Sequence, residues 1–389
     1  MFFVSLANIL YGAQYKVIPS FSLRQSYDDN IYLYWRGKKD DFVTYIRPKI
    51  LASINTEKTK INTEAQVNIL RYADETNLNT EEQIYRIGLS HLKTERLTLA
   101  LNGRYIRDTT LESEWTETGI GLERNIRKNY SGDGLISYSL TEKSLITFSS
   151  FYMQSDYESS VYIDYWYTGG NLAYEYHLSD GRISLISRLG YNYFKSDLGR
   201  THNVLFFGGI DYMFSEKTQI SGFLGLRYSD SKVRLKRYMI FYFLNYPIIM
   251  PYTETKREKG VGALLNISFS KEMEKGTFFI GIERDITPSV IGEMIFRGRV
   301  YGKIDYNFTE RLKGIFYASY YRGETSGDVK TLDYYSYDVR PSMQFFLTKN
   351  FSVELAYLRQ FYKSRLTDFK AKRNVIFLGI NWSKLYLWQ

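Results

Sequence analysis

Arg297, Arg299 and Lys303 occupy odd positions of a segment whose even positions hold Phe296, Gly298, Val300, Gly302 and Ile304. In an extended chain successive side chains leave on opposite faces. That spacing sends three cations one way and an apolar set the other, with like-facing neighbours about 6–7 Å apart. Cations so close repel one another unless carboxylates offset them, and Asp305 shares their face. If acids on neighbouring strands reach them, the group is an ion-pair ladder. If they do not, it is a site for an acidic ligand such as an acidic sugar. The same alternation adds Arg47, Lys49, Arg86, Arg104, Arg188, Arg227 and Arg340 to the basic face, against Glu64, Glu175, Glu283, Asp285, Asp305, Asp338 and Glu354. Ten cations facing seven carboxylates make a mildly positive wall, which favours anions.

Other chemistry has little support. His91, His177 and His202 have no metal-site spacing, and Cys is absent, which removes disulfides, thiolate metal sites and c-type haem attachment. No Gly-x-Ser-x-Gly elbow nominates a nucleophile. Asp28-Asp29-Asn30 and Asp40-Asp41 have the oxygen ligands calcium uses, but acidic loop tips are more often solvated. The expectation is no enzyme, no cofactor and no metal.

The elements that position the charged face are hairpins. Ile136–Ser150 reads as two β-branched and aromatic segments around Thr141-Glu142-Lys143. The turn recurs at Thr56-Glu57-Lys58, Thr94-Glu95-Arg96, Ser179-Asp180-Gly181, Ser215-Glu216-Lys217, Ser270-Lys271-Glu272, Thr309-Glu310-Arg311 and Thr348-Lys349-Asn350. Most repeats are about 36–39 residues long, with two of about 47 and 55. Each repeat holds one short turn, two strands and one longer polar loop. Eighteen strands follow, at about 15–27, 41–54, 60–73, 82–92, 97–107, 129–140, 144–155, 162–178, 182–195, 203–214, 218–229, 259–270, 276–286, 293–308, 311–322, 334–347, 351–362 and 374–385. This predicts an all-β fold, a single transmembrane antiparallel up-and-down β-barrel with short periplasmic turns and long extracellular loops. Pro48 and Pro341 fall inside strands and predict bulges or strand ends there.

Composition agrees. Among 389 residues there are 37 Tyr and 25 Phe, more rings than a soluble core needs, and Tyr suits a membrane interface. No apolar run reaches the roughly 18 residues a spanning helix requires. Residues 1–13 read as a truncated signal segment and 14–389 as one barrel domain in the outer membrane of a Gram-negative bacterium. The net charge of +9 fits a basic lumen and solvated loops; nucleic acid is not an expected partner. Asn374–Ser383 ends in alternating apolar and aromatic residues, like the C-terminal insertion signal of outer-membrane proteins, and the chain then runs on to Gln389. The segment 230–258 carries an apolar-aromatic run, Met239–Met250, and is expected to fold into the pore, extend two strands or contact a partner.

Two stretches carry a family resemblance. Ser22–Leu33 followed by Asp41–Ile50, and Arg107–Gly119 followed by Leu135–Lys143, resemble the β-barrel porin 2 family found beside exopolysaccharide and PEP-CTERM-associated loci. The resemblance implies an outer-membrane barrel that passes or assembles extracellular polysaccharide, with periplasmic export machinery as a partner besides the lipid. It carries over no catalytic residues.

Three functions follow as expectations: a conduit exporting an acidic polysaccharide, a general diffusion porin for small anions, or a structural sheath around an export or redox partner. A lumen lined by long aromatic tracks favours the first, a constricting folded-in loop the second, and a wide empty lumen the third.

Overall fold

The computed structural model describes residues 12–121, 124–159, 161–178, 181–243, 246–325 and 330–388, with backbone only over 235–253. Eighteen antiparallel strands run in sequence order around a closed wall. They are β1 Gln14–Asp28, β2 Asp41–Asn55, β3 Thr59–Tyr72, β4 Thr80–Thr94, β5 Leu97–Thr109, β6 Ile126–Thr141, β7 Ser144–Tyr157, β8 Tyr165–His177, β9 Ile183–Ser196, β10 Gly199–Ser215, β11 Thr218–Phe243, β12 Tyr246–Met273, β13 Gly276–Pro288, β14 Met294–Asn307, β15 Leu312–Thr325, β16 Asp333–Phe346, β17 Phe351–Ser364 and β18 Lys370–Ser383. β1 closes the wall against β18, from Ser20 opposite Ser383 to Asp28 opposite Val375. Closure pairs the two edges that an open sheet would leave bare. A short β19, Tyr386–Trp388, continues along β1, and Trp388 stacks on Tyr15 with ring centroids 6.3 Å apart. The residues beyond the insertion-like strand therefore lengthen the closing seam.

The recurrent turns at Thr56, Thr94, Thr141, Ser215, Thr309 and Thr348 lie at one rim, because each joins an even-numbered strand to the next. Their chemistry explains the leading Ser or Thr. The hydroxyl of Thr94, Thr141, Ser215, Thr309 and Thr348 accepts the backbone N–H two residues on, at 3.2–3.3 Å, and so closes the turn locally. Bulges precede three of them, between Leu92 and Thr94, Ser139 and Thr141, and Met213 and Ser215. Residues 179–180 of the Ser179 turn lie outside the described residues. Ser270-Lys271-Glu272 is not a turn: β12 runs through it to Met273, and Glu274-Lys275 makes the reversal.

Alternation sorts the wall. Leu101, Leu224, Leu226 and Val261 are 60–73% exposed, on the face that also shows Ile87, Leu189, Phe206 and Leu378. An unbroken apolar belt of this kind is a liability in water and a requirement in a bilayer.

Of the three alternatives for segment 230–258 the strand extension is the one found: β11 and β12 continue in register from Thr218 opposite Lys271 to Phe243 opposite Tyr246. Two local expectations are corrected. The segment 196–202, expected as a loop, shrinks to Asp197-Leu198 between β9 and β10. At Pro48 and Pro341 the register does not shift. Ile46 pairs with Ile69 and Lys49 with Gln66; Val339 pairs with Arg359 and Ser342 with Ala356. Each proline deletes ladder bonds toward one neighbour while the flanking bonds hold the alignment, so no bulge is needed.

Candidate functional site

The interior is organised by a segment that sequence alone left as a polar loop. Between β5 and β6, α1 (Thr110–Thr118) lies inside the barrel. Its sequence, Thr-Leu-Glu-Ser-Glu-Trp-Thr-Glu-Thr, has modest helix propensity, and three hydroxyls bond back four residues: Ser113 to the Thr109 carbonyl, Thr116 to that of Glu112 and Thr118 to that of Glu114. Packing makes the helix. Leu111 and Trp115, one turn apart, bury with Ile120 among Leu33, Ile295, Tyr321, Tyr334, Tyr362 and Ala371. Leu33 comes from the β1–β2 connection, and the other partners belong to β14–β18. Strands β5 and β14 stand nine apart among eighteen, so the segment reaches the opposite side of the barrel.

The far wall caps the helix. The last carbonyls of a helix lack internal partners. Here Tyr321 Oη donates to the Thr116 carbonyl at 2.9 Å, Arg297 to that of Glu117, Tyr334 Oη to that of Thr118 and Ser336 Oγ to that of Gly119 at 2.6 Å. Gly119 adopts φ 77° and donates its N–H back to Glu114 and Trp115, and a Cβ there would collide with the Tyr321 ring. Both conformation and space require glycine. Gly119→Ala should undock α1, with a destabilisation of about 1–3 kcal/mol. Trypsin cleavage at Arg124, which is closed in the parent and open in the variant, measures it; equal protection would refute the account.

Charge fixes the flanks. The buried Arg127 of β6 meets Asp108 at 3.1 Å, Glu117 at 2.7 Å and Glu114 at 3.5 Å. The buried Arg373 of β18 meets Asp28 at 2.7 Å and Glu112 at 3.1 Å. Withdrawal from water raises the Glu114 carboxyl above the usual range; Glu117 and Asp108 push the same way, against the pull of Arg127. Glu117 stays below that range: burial would raise it, but Arg127, Arg104 and Arg297 together outweigh that. Glu112 is held down at about 2: desolvation would raise it, but Arg373 and Arg124 win.

Two further cores close the loop-rim half of the lumen. Tyr157, Tyr165 and Phe194 from β7–β9 pack on Ile286, Val290 and Met294 at the end of the β13–β14 hairpin. Ile31, from the β1–β2 connection, packs with Val43, Tyr45, Leu70 and Tyr72.

The ten cations chosen from sequence alternate with the apolar belt, on the lumen side. They form separate groups. Lys49 and Arg86 both bind Glu64, at 2.8 and 2.5 Å, and Arg104 stands directly opposite Arg86 with no carboxylate partner among the described residues. Arg47 lies over the Tyr45 ring at 4.7 Å, and with Lys49 and Arg24 it lines a recess. Arg188 lies 5.7 Å from the Phe223 ring. Arg227 is buried against Asn203, with its guanidinium 4.2 Å from the Phe296 ring. Arg340 is exposed.

The proposed track on β14 is divided. Arg297 pairs with Asp285 at 2.5 Å and with Glu283 at 3.5 Å, and also caps α1, while Lys303 pairs with Asp305 at 2.8 Å. Acids of the adjacent β13 reach Arg297 and an acid of β14 itself reaches Lys303, which makes both of them ladder. Arg299 alone is free of carboxylates among the described residues; it takes Tyr317 Oη at 2.8 Å and lies 4.1 Å from the Tyr301 ring. Sequence reasoning missed Arg127, Arg373 and the three α1 glutamates, and weighed Asp28 for calcium, where the structure pairs it with Arg373. Their signal was the acid-rich run at 112–117, whose balancing cations sit on strands distant in sequence.

No family model matches the chain, and no curated protein does. Among solved structures, the copper transporter OprC superposes with TM-score 0.48 at 10% identity over 91% of this chain; the chain spans 64% of that protein's length. The outer membrane protein OpdK from Pseudomonas aeruginosa gives TM-score 0.44 at 11% identity, covering 97% of this chain and 100% of that one. OccAB4 of Acinetobacter baumannii gives 0.45 at 10% identity, with 96% and 98% covered. This chain is similar to these outer-membrane barrels in the course of its strands.

Proposed function

We propose that the chain is an outer-membrane porin of a Gram-negative bacterium that passes small anionic solutes around a fixed internal constriction. The observation that carries the reading is α1, held by Arg127 on the near side, by Arg373 of β18 and by Tyr321, Tyr334 and Ser336 across the lumen. An exported polysaccharide would have to displace that segment along its whole length, and a sheath around a partner needs an open interior. A small solute needs only the gaps beside it. Towards the turn rim, Arg86, Arg104, Arg188 and Arg340 stay exposed to the lumen water, which supplies the positive field an anion follows. The solute crosses unchanged, so the reading assigns no catalytic step.

Arg104, Arg188 and Arg340 have no carboxylate partner among the described residues, so replacing them leaves no orphaned acid. The triple Gln variant should lower the anion-to-cation permeability ratio about threefold or more, read from the reversal potential across a salt gradient. An unchanged reversal potential, with the barrel still heat-modifiable on a gel, would sink the anion reading.

A further inference from the structure

On the outer face of the wall, Lys195 of β9 stands opposite Arg200 of β10, which stands opposite Lys232 of β11. The row continues to Arg257 of β12, which is tied to Asp230 through Nε at 2.8 Å. Arg234 lies two residues farther along β11, on the same face. These positions share the parity of Leu189 and Tyr191, of Val204 and Phe206, and of Leu224, Leu226 and Tyr228, all exposed in the apolar belt. The cations therefore point away from the lumen.

Like charges directly opposed on antiparallel strands destabilise a sheet. Elsewhere in this wall acids answer such repulsion, as Glu64 does between Lys49 and Arg86. Lys195, Arg200, Lys232 and Arg234 have no carboxylate within ion-pair distance among the described residues. They line one recess with Tyr193 and Asp197, and Asp197 is the sole acid in it. The recess has a fixed floor. The Arg234 N–H donates to the Leu198 carbonyl at 2.6 Å, and a Cβ on Gly199 would collide with the Lys232 carbonyl, so the β9–β10 turn is held down on β11.

Depth identifies the ligand. Trp166 of β8 stands opposite Lys195 and extends the row, and one outward position below lie Tyr193 and His202. Trp166 and Tyr193 have centroids 5.0 Å apart, Tyr193 and His202 4.7 Å apart, and Tyr191 Oη is bonded to His202 Nδ1 at 2.7 Å. Such rings mark the level where acyl chains meet headgroups. The next outward position on each strand lies about 6–7 Å farther out, at the level of headgroup phosphates. We propose that this recess binds the phosphate of a phosphorylated lipid in the leaflet at the loop rim. The two guanidinium groups suit bidentate contact with phosphate oxygens, and the two ammonium groups supply point charge. The inference rests on the membrane reading of the barrel.

The test uses the whole folded barrel in detergent and native mass spectrometry. The probes are a bis-phosphorylated lipid A, the same lipid with its phosphates removed, and inorganic phosphate. The parent should retain the phosphorylated lipid about tenfold better than a Lys195→Gln, Arg200→Gln, Lys232→Gln triple variant, and should retain the dephosphorylated lipid no better than that variant does. Equal retention by parent and variant would overturn the proposal, as would equal binding of the dephosphorylated lipid. Displacement of the lipid by equimolar inorganic phosphate would reduce the recess to a free-ion site and overturn the lipid assignment. If the triple variant gives no heat-modifiable band, Arg200→Gln alone is measured; a several-fold loss is expected, and no loss refutes the site. Failure of the parent to insert into vesicles would instead count against the membrane reading.

Discussion

Replacing residues 110–125 by a four-residue polar turn is expected to raise single-channel conductance in a planar bilayer several-fold, because the segment that crosses the lumen is gone. The wall should survive the cut. Thr109 and Ile126 are directly opposed at the ends of β5 and β6, so a short turn joins them without strain. The buried guanidinium groups are not orphaned either. Arg127 loses Glu114 and Glu117 but keeps Asp108, and Arg373 loses Glu112 but keeps Asp28 and Gln360. The apolar faces of Tyr321, Tyr334 and Tyr362 become wet, which costs stability without opening the barrel. The control removes 237–252, whose ends Arg237 and Tyr252 pair directly in the β11–β12 ladder. That deletion should leave conductance unchanged, since the hairpin continues the wall beyond the apolar belt. If the two deletions exchange their effects, the constriction has been misplaced. If neither changes conductance, α1 does not limit flow.

The barrel was legible because its rule is local. Alternation needs only neighbouring residues, and the Ser/Thr-led turn closes within four, so strand number, rim and lumen face could be read from short windows. By that rule Arg104, Arg188 and Arg340 fall on the face opposite the apolar belt. The constriction was not legible, because nothing local distinguishes it. Helix α1 is rich in Thr, Ser and Glu, the composition of a solvated loop, and its hydroxyl residues offset the propensity of its Glu and Leu. Its apolar Leu111 and Trp115 gain their meaning from Tyr321, Tyr334 and Tyr362, more than two hundred residues away. The hydrophobic run at 239–250 was the more conspicuous candidate for a folded-in loop, yet a continuous ladder carries it. The β14 cations show the same limit. Parity gave their direction, but only the folded side chains show that Arg297 takes both Asp285 and Glu283, while Arg299, although opposite Glu283, turns to Tyr317 and Tyr301.

The same internal charges predict a constriction that is most firmly docked in weak acid. Consider Glu112 first. It faces Arg373 from β18, Arg124 from its own connection and Arg340 from β16, and these hold it at about 2, against the ordinary 4.5. A depressed carboxylate stabilises docking above its free pKa, and that contribution is lost as pH falls from about 4.5 towards 2. Glu114 behaves oppositely. Burial, Glu117 on the helix and Asp108 of β5 raise it, while Arg127 of β6 and the hydrogen bond from Tyr157 of β7 oppose the rise. A raised carboxyl contributes fully below its ordinary value, and that contribution is lost as pH climbs through the shifted one. The two arms leave a maximum of docking at about pH 5. Gating noise and mean conductance should therefore be lowest there, rising on both the acid and the neutral side. Glu114→Gln keeps the neutral form at every pH and should abolish the neutral-side rise. Glu112→Gln should flatten the acid side, with a higher baseline because Arg124 loses its partner. A profile without a minimum in the parent, or a neutral-side rise that survives Glu114→Gln, would show that these carboxyls do not control the docking of α1.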